Sequence, residues 1–343
     1  MTRSPATIRD VAAHAGVSYQ TVSRVINGST KVRAETRARV ESSIQALDYR
    51  PNAVARSMAS GRTSIIACIA PNLTDYTFAS IIEGAQLEAR EQGFFLLSAC
   101  APDKKTFNEL IDELLTSRRA EGLMIIDPYL EELTRDLELD FPIVFAGGGA
   151  HHGEKASRSV LMDDEQAAYQ ATTHLLSLGH TKLAMVTGPS GEVCTQKRIQ
   201  GYKIALQEHQ LPVRPEWIIE GNWSAVSGYE AYAQLAQKEP LQPTAVFAHN
   251  DQMAVGILRA ARDAGLKLPQ QLSVIGVDDI PLASYFAPPL TTMRQDFAAI
   301  GRESSRLLIQ TIENGDNTPQ HMLLPTTLIE RRSTHVLVTD QSK

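Results

Sequence analysis

Apolar positions in the first fifty residues recur at helical spacing. Ile8, Val11, Ala12 and Ala15 stand at i, i+3, i+4 and i+7, one face of a helix that Thr7 caps and that carries Asp10 in its first turn. Gly16-Val17-Ser18 interrupts the pattern: the glycine supplies a turn and Ser18 caps a second helix. There Val22, Val25 and Ile26 fall inward, Gln20, Arg24 and Asn27 fall on the opposite side, and Tyr19 lies on the first turn. A third helix, about Ala34 to Leu47, carries Val40, Ile44 and Leu47. This is the helix-turn-helix plan, with a generic three-helix bundle bearing a polar face as the alternative. Arg bonds guanine in a bidentate fashion and Gln bonds adenine, so the outward set suits base edges.

From Thr63 the period changes. Short apolar runs at Ile65–Ala70, Phe94–Ala99, Leu123–Ile126 and Ile143–Phe145 read as strands, between helical faces such as Phe78, Ile81, Ile82, Ala85, Ala89 and Phe107, Leu110, Ile111, Leu114, Leu115. After about Leu161 the cycle repeats: helix 165–178, strand 182–186, helix 195–209, strand 217–219, helix 224–236, strand 245–248, helix 251–264, strand 273–277. Alternating strands and helices predict α/β lobes, each a doubly wound parallel sheet with ligands at the strands' carboxyl ends. The fold class expected is therefore an all-α head on an α/β body of two lobes.

Charge sharpens this division. Residues 1–62 hold ten Lys/Arg against four acids, while the rest of the 343 residues hold 23 bases and 35 acids. A basic head on an acidic body suits a polyanion-binding module joined to another function, although surface charge also drifts along ordinary chains. Apolar residues make up 43% of the chain, enough for a sizeable core, and no apolar run reaches membrane-spanning length. Cys68, Cys100 and Cys194 form no C-x-x-C site, the pattern of reduced thiols in a cytoplasmic protein.

Thr7-Ile8-Arg9-Asp10-Val11-Ala12, Ala15-Gly16-Val17-Ser18 and Thr21-Val22-Ser23-Arg24-Val25-Ile26-Asn27 resemble the head of the LacI/GalR family of transcriptional regulators, most of all its lac-type repressors. The resemblance implies DNA contacts from Thr7, Ser18, Tyr19, Gln20, Ser23, Arg24 and Asn27, with Tyr19 and Gln20 the most base-discriminating. Arg33 departs from the Ser frequent before the third helix, which weakens that cap. Pro51-Asn52-Ala53-Val54-Ala55-Arg56-Ser57-Met58 is too short to be helical alone, and by composition is an ordinary linker. It resembles the family's hinge helix, which implies that Asn52 and Ala55 contact DNA and that Met58 stands where the family usually has a Leu wedge in the minor groove.

By the same resemblance the body has the periplasmic-binding-protein fold. The implied division is a head at 1–50, a hinge at 51–62, a body at 63–332 and a short tail at 333–343. Lobe 1 covers about 63–160 and 291–321, and lobe 2 about 161–290 and 322–332, with crossings near 161, 290 and 322. A sugar site needs planar polar groups and an aromatic plate. Candidates at strand ends and helix starts are Arg198, Trp223, Asn250 and Asp278; the bland alternatives are a solvated helix face for Arg198, a core ring for Trp223 and helix caps for Asn250 or Asp279. The resemblance selects Arg198 and Asp278 as effector grips and adds Asn250, Gln295 and Phe297, with Trp223 in a matching segment. Asp75 and Phe78 are first-lobe candidates. Lac-type members carry an Asp where this chain reads Phe145-Ala146-Gly147, so one hydroxyl contact is expected to be either lost or supplied by Asp127.

Gly147-Gly148-Gly149 lacks nucleotide-loop spacing, His151-His152 with Glu154 is a weak metal signal, and Glu131 to Asp140 reads as a wet helix face. The tail has no leucine heptad. The expectation is a cytoplasmic, homodimeric repressor that binds a palindromic operator and senses a small carbohydrate, a galactoside-type inducer that lowers operator affinity, with no cofactor and no metal. Rivals are a regulator of the same fold sensing another sugar or a purine corepressor, a transport-type sugar-binding protein, and an enzyme fused to a DNA-binding head. No nucleophile–base set supports the last.

Overall fold

The computed structural model describes residues 6–50, 61–117, 119–126, 141–147, 158–237, 242–316 and 318–337. Asn52, Ala55, Met58 and Asp127 lie outside the described residues, as do Glu131 to Asp140 and the His151-His152-Glu154 segment. The chain divides into two compact units, Met1–Ser64 and Ile65–Lys343.

The first unit holds helices α1 (Ile8–Ala15), α2 (Tyr19–Ile26) and α3 (Ala34–Ala46). Thr7 and Asp10 form a reciprocal capping box on α1, and Gly16 closes it in the left-handed conformation that glycine adopts without strain. The Ser18 side chain accepts from the Thr21 N–H and starts α2. Arg33 precedes α3 without a side-chain cap. Val11, Val22 and Val40, one from each helix, are fully buried and centre the core, with Ile8, Ile26, Ile44 and Leu47 packed around them.

The second unit contains two six-stranded sheets. In chain order the first has β1 (Ile65–Ala70), α4 (Tyr76–Glu91), β2 (Phe95–Cys100), α5 (Lys104–Ser117), β3 (Gly122–Ile125), β4 (Ile143–Ala146) and β5 (Arg158–Met162). The second has α6 (Asp164–Ser177), β6 (Leu183–Thr187), α7 (Val193–Glu208), β7 (Ile218–Glu220), α8 (Ala225–Ala236), β8 (Ala245–Ala248), α9 (Asp251–Asp263), β9 (Ser273–Asp278) and β10 (Thr291–Arg294). Helix α10 (Phe297–Asn314) and strands β11 (Gln320–Leu324) and β12 (Thr327–Ile329) follow. The sheet orders are β11-β5-β4-β3-β1-β2 and β12-β10-β9-β8-β6-β7, parallel except for the β10–β12 pair. Each contains a doubly wound run that reverses beside its first strand, the switch point at which such sheets open a crevice.

The period-2 alternation of β1 divides the first core. Ile66, Cys68 and Ala70 pack with α4 and α10, while Ala67 and Ile69 pack with α5. The second sheet is covered likewise, by α8 and α9 on one face and by α6 and α7 on the other.

Strand pairing moves the crossings expected from sequence. Thr291–Arg294 pairs in parallel with β9, so it belongs to the second sheet, and the chain returns to the first after Arg294 rather than near 290. Gln320–Leu324 pairs with β5 in the first sheet, which moves the last crossing from 322 to beyond Leu324. Leu161 and Met162 also remain in the first sheet. Hydrogen-bond partners, not local composition, set these boundaries. Among the described residues no helix is long and apolar enough to cross a membrane.

Candidate functional site

The reading surface of the first unit stands clear of its core. Tyr19 is 56% exposed, and Gln20 and Arg24 on α2 and Asn27 at its C-cap are exposed beside it, opposite buried Val22 and Val25. Ser23 is half-buried and lies within 3.4 Å of the Asn27 amide. Thr7 and Ser18 spend their hydroxyls on caps: the Thr7 hydroxyl donates to Asp10 at 2.7 Å, and Ser18 Oγ accepts from the Thr21 N–H at 3.2 Å. Both remain exposed at helix N-termini, where phosphate oxygens are attracted.

In the second unit a cavity of about 260 Å³ opens at the carboxyl ends of the strands of both sheets. Its lining includes Asp75, Phe78, Arg198, Trp223, Asn250, Asp278, Gln295 and Phe297, every effector candidate among the described residues. Long sequence separations are closed by the fold: Asp75 follows β1, Arg198 lies on α7 after β6, Trp223 follows β7, Asn250 follows β8 and Asp278 ends β9.

Arg198 is the hub. It is 5% exposed, which excludes a solvated helix face. Its Nε and Nη2 donate to Asp164 Oδ1 at 2.8 and 2.7 Å, and its Nη1 donates to the His249 carbonyl. Its Cζ sits 5.7 Å from the Trp223 ring centroid, within cation–π range. Burial alone would lower its pKa, but Asp164, Cys194 and Asp278 more than offset this and hold the cation. Burial pushes the neighbouring His249 ring well below its usual range, and the Arg198 charge adds to the shift, so the ring is neutral.

Trp223 is held edge and face. Its Nε1 donates to both Glu192 oxygens at 2.9 and 3.0 Å, and its ring lies against Gly188, where any added methyl would collide with the indole. Asn250 serves as a helix cap, the bland alternative, and lines the cavity as well. Its Oδ1 accepts from the Met253 N–H at 2.8 Å, and its Nδ2 donates to the Trp223 carbonyl at 3.0 Å. Phe297 is both core and wall, 6.2 Å from Tyr76 in an edge-on pair. Gln295 Nε2 lies 3.4 Å from Asp164.

Asp278 is 8% exposed and its carboxylate has no hydrogen-bond partner among the described residues. Burial pushes its carboxyl well above the usual range; Asp251 adds to this, Arg198 opposes it, and Asp75 and Asp164 add further. Trp223 and Asp278 both hold positive φ, 69° and 115°, backbone strain that clusters at ligand sites. Behind them Asp251 accepts from the Thr292 hydroxyl at 2.6 Å and the Ile280 N–H at 2.9 Å, and burial raises its pKa to about 7.

Sequence reasoning did not single out Asn72, Glu192, Cys194, Asn222 or the Arg198 partner Asp164. Glu192 directly precedes α7 and by sequence is an ordinary helix-dipole acid; only the fold brings the Trp223 indole to it. Asn72 carries a signal that was readable, an Asx turn: its Oδ1 accepts from the Thr74 and Asp75 N–H groups at 3.0 and 2.8 Å. Among the described residues no group of three His, Cys, Asp or Glu could hold a metal ion.

Comparison with known proteins places both units. Residues 7–52 match the family described as bacterial regulatory proteins, lacI family, and residues 172–334 match the periplasmic binding protein-like domain. The HTH-type transcriptional repressor PurR of Vibrio vulnificus (strain CMCP6) is 33% identical over 315 residues, 91% of this chain and 93% of that protein. A structure of the lac repressor dimer bound to operator and the anti-inducer ONPF matches with a TM-score of 0.85 and 31% identity, covering 97% of this chain and all of that one. The complex of the transcriptional regulator CelR with cellobiose matches at 0.72 and 30%, covering 96% and 99%.

Proposed function

The chain belongs to the lacI family of bacterial regulatory proteins, as a transcriptional repressor and not an enzyme, and from that premise we propose that it is a homodimer that binds a palindromic operator under the control of a small carbohydrate. Tyr19, Gln20 and Arg24 are the base readers, and Thr7, Ser18, Ser23 and Asn27 position them. The hinge contacts proposed for Asn52, Ala55 and Met58 rest on the sequence resemblance alone. The structural neighbour solved on operator DNA as a dimer supports this arrangement.

The observation that carries the effector reading is the junction of Trp223 with Arg198, Asn250 and Asp278 on one wall of the cavity. An indole face covers the C–H side of a sugar ring, while a guanidinium, an amide and a carboxylate serve its hydroxyls. A volume of about 260 Å³ suits a monosaccharide or small glycoside, and the CelR neighbour was solved with cellobiose. A galactoside-type inducer is the specific form of this reading. The ligand bridges strand ends of both sheets, so it binds one lobe arrangement better than the other and shifts operator affinity by that difference.

A second reading, a nucleobase corepressor, is favoured by Phe78 and Phe297 facing the same cavity as Trp223, because planar rings stack on planar bases. A thermal-shift panel of galactosides, other sugars and nucleobases, followed by operator binding with and without each hit, decides between them. Stabilisation by a galactoside together with weaker operator binding is the expected result. Stabilisation by nucleobases alone, with tighter operator binding, overturns the carbohydrate reading.

A further inference from the structure

Asp251 stands in the first turn of α9, where an acid ordinarily faces water and complements the helix dipole. Here it is fully buried, and both of its carboxylate oxygens accept from other segments. Oδ1 takes the Thr292 hydroxyl at 2.6 Å, 41 residues away, and Oδ2 takes the Ile280 N–H at 2.9 Å, 29 residues away. Gly276 makes room for it: a methyl group there would collide with Oδ1. Gly276 and Thr292 are partners in the β9–β10 register, so the carboxylate is seated over the seam between those strands.

Each of these three anchors leads directly to a residue of the cavity wall. Asn250 immediately precedes Asp251, Asp278 stands two residues before Ile280, and Gln295 stands three residues after Thr292. The turn between Asp278 and Ile280 is strained, with φ of 115° at Asp278 and 57° at Asp279. Such backbone persists only where its surroundings over-determine it. Arg294 and Arg331 grip the Asp279 side chain at 2.6 Å each, and Asp251 grips the main chain one residue on. Asp251 itself is not among the described residues that line the cavity.

We propose that Asp251 is a positioning residue of the effector site: without touching the ligand, it sets where Asn250, Asp278 and Gln295 present their side chains. The inference rests on the reading of the cavity as the effector site, and it holds for either class of ligand.

The test is isothermal titration of the full chain with methyl β-D-galactoside, D-glucose, cellobiose, adenine and guanine, with a melting curve for every variant. Asp251→Ala should weaken whichever probe the parent binds by about tenfold or more, the scale of a lost hydrogen bond to a charged group. Asp251→Asn should restore binding, because its oxygen still receives the Ile280 N–H and its amide donates to the Thr292 hydroxyl. Thr292→Val removes one anchor and should weaken binding, while Thr292→Ser should not, so this pair decides the matter if Asp251→Ala folds poorly. Ile257→Ala, in the buried core face of the same helix, is the control: it should lower the melting temperature and leave affinity within about threefold of the parent. Hydrogen exchange supplies a readout without ligand: the Ile280 amide should exchange about tenfold faster or more in Asp251→Ala, with the core strands unchanged. Parental affinity in folded Asp251→Ala or Thr292→Val, equal losses in Asp251→Asn and Asp251→Ala, or an equal loss in Ile257→Ala overturns this inference and leaves the effector reading in place. A parent that binds none of the probes overturns both.

Discussion

The two walls of the cavity come from sheets with matching strand order, yet they are chemically unlike. The wall at the first sheet is mainly apolar: Pro71, Phe78, Ile81, Ile126 and Ala146. Of its polar members Asn72, Asp75 and Thr77, the first two accept from N–H groups two or three residues away, and Asp75 reaches across the fold only at 3.5 Å, to the Gln252 amide. The wall at the second sheet is charged and polar, with Glu192, Arg198, Asn222, Asn250 and Asp278. Its side chains are tied across the fold, Arg198 to Asp164 and His249, and Trp223 to Glu192. One wall thus supplies shape through packing, and the other supplies orientation through a preorganised polar network. A network of this kind specifies a ligand at some cost to stability, because every buried charge in it must be matched.

The contrast is broken most severely at its hub. Arg198→Ala leaves the half-buried Asp164 without its cation, with only the Gln295 amide at 3.4 Å beside it, and should destabilise the body by about 3 kcal/mol. A thermal melt should show the loss, so this variant reports stability as much as ligand contact. An unchanged melt would mean that the network is not structural. On the apolar wall, Ile81 is fully buried, and Ile81→Ala should cost about 2–5 kcal/mol by transfer and cavity terms. Urea unfolding of the body checks this, and a cost below 1 kcal/mol would deny that the wall is close-packed.

Trp223→Phe keeps a ring but removes the donor to Glu192. The loss of a hydrogen bond to a charged group, about 1.5–3 kcal/mol, should appear as a lower melting temperature with weaker ligand binding. A melting temperature equal to the parent's would show the bond to be idle. The smallest effect, and the opposite in sign, belongs to Asp278→Asn without ligand. In the folded body the Asp278 carboxyl titrates above its unfolded value of 3.8, raised by burial and Asp251, opposed by Arg198, and raised further by Asp75 and Asp164. The native state therefore holds a proton that the unfolded chain releases, and stability falls as pH rises through the folded pKa. The variant should melt higher than the parent, by a margin that is widest at alkaline pH and vanishes near pH 4. Melts at pH 4.5, 6 and 8 measure it; a variant less stable at pH 8 would show that Asp278 serves the fold.

The α2 surface offers a contrast with both walls. Tyr19, Gln20 and Arg24 were readable because one helix carries them and helical spacing fixes which side they occupy. The cavity was readable only in part. Arg198, Asn250 and Asp278 stand at strand ends or helix starts, where α/β chemistry collects; the family resemblance picked them out, although Asn250 is a helix cap as well. Glu192 and Asp164 were missed because their meaning lies in partners 31 and 34 residues away. The crossings near 290 and 322 shifted because Thr291–Arg294 and Gln320–Leu324 are short segments whose sheet is chosen by the neighbouring strand.

Local physics written in the sequence thus settled the helix-turn-helix, with its capping box at Thr7 and its turn at Gly16, and the alternation of strands and helices in the body. Hydrophobic period and cap chemistry act over a few residues and need no distant partner. Tertiary structure alone decided which sheet each late strand joins, that Arg198 is neutralised by Asp164, that the Trp223 indole is aimed by Glu192, and that Asp278 is left buried and unpartnered at the cavity. These are properties of space between segments, set by how two sheets bring their strand ends together.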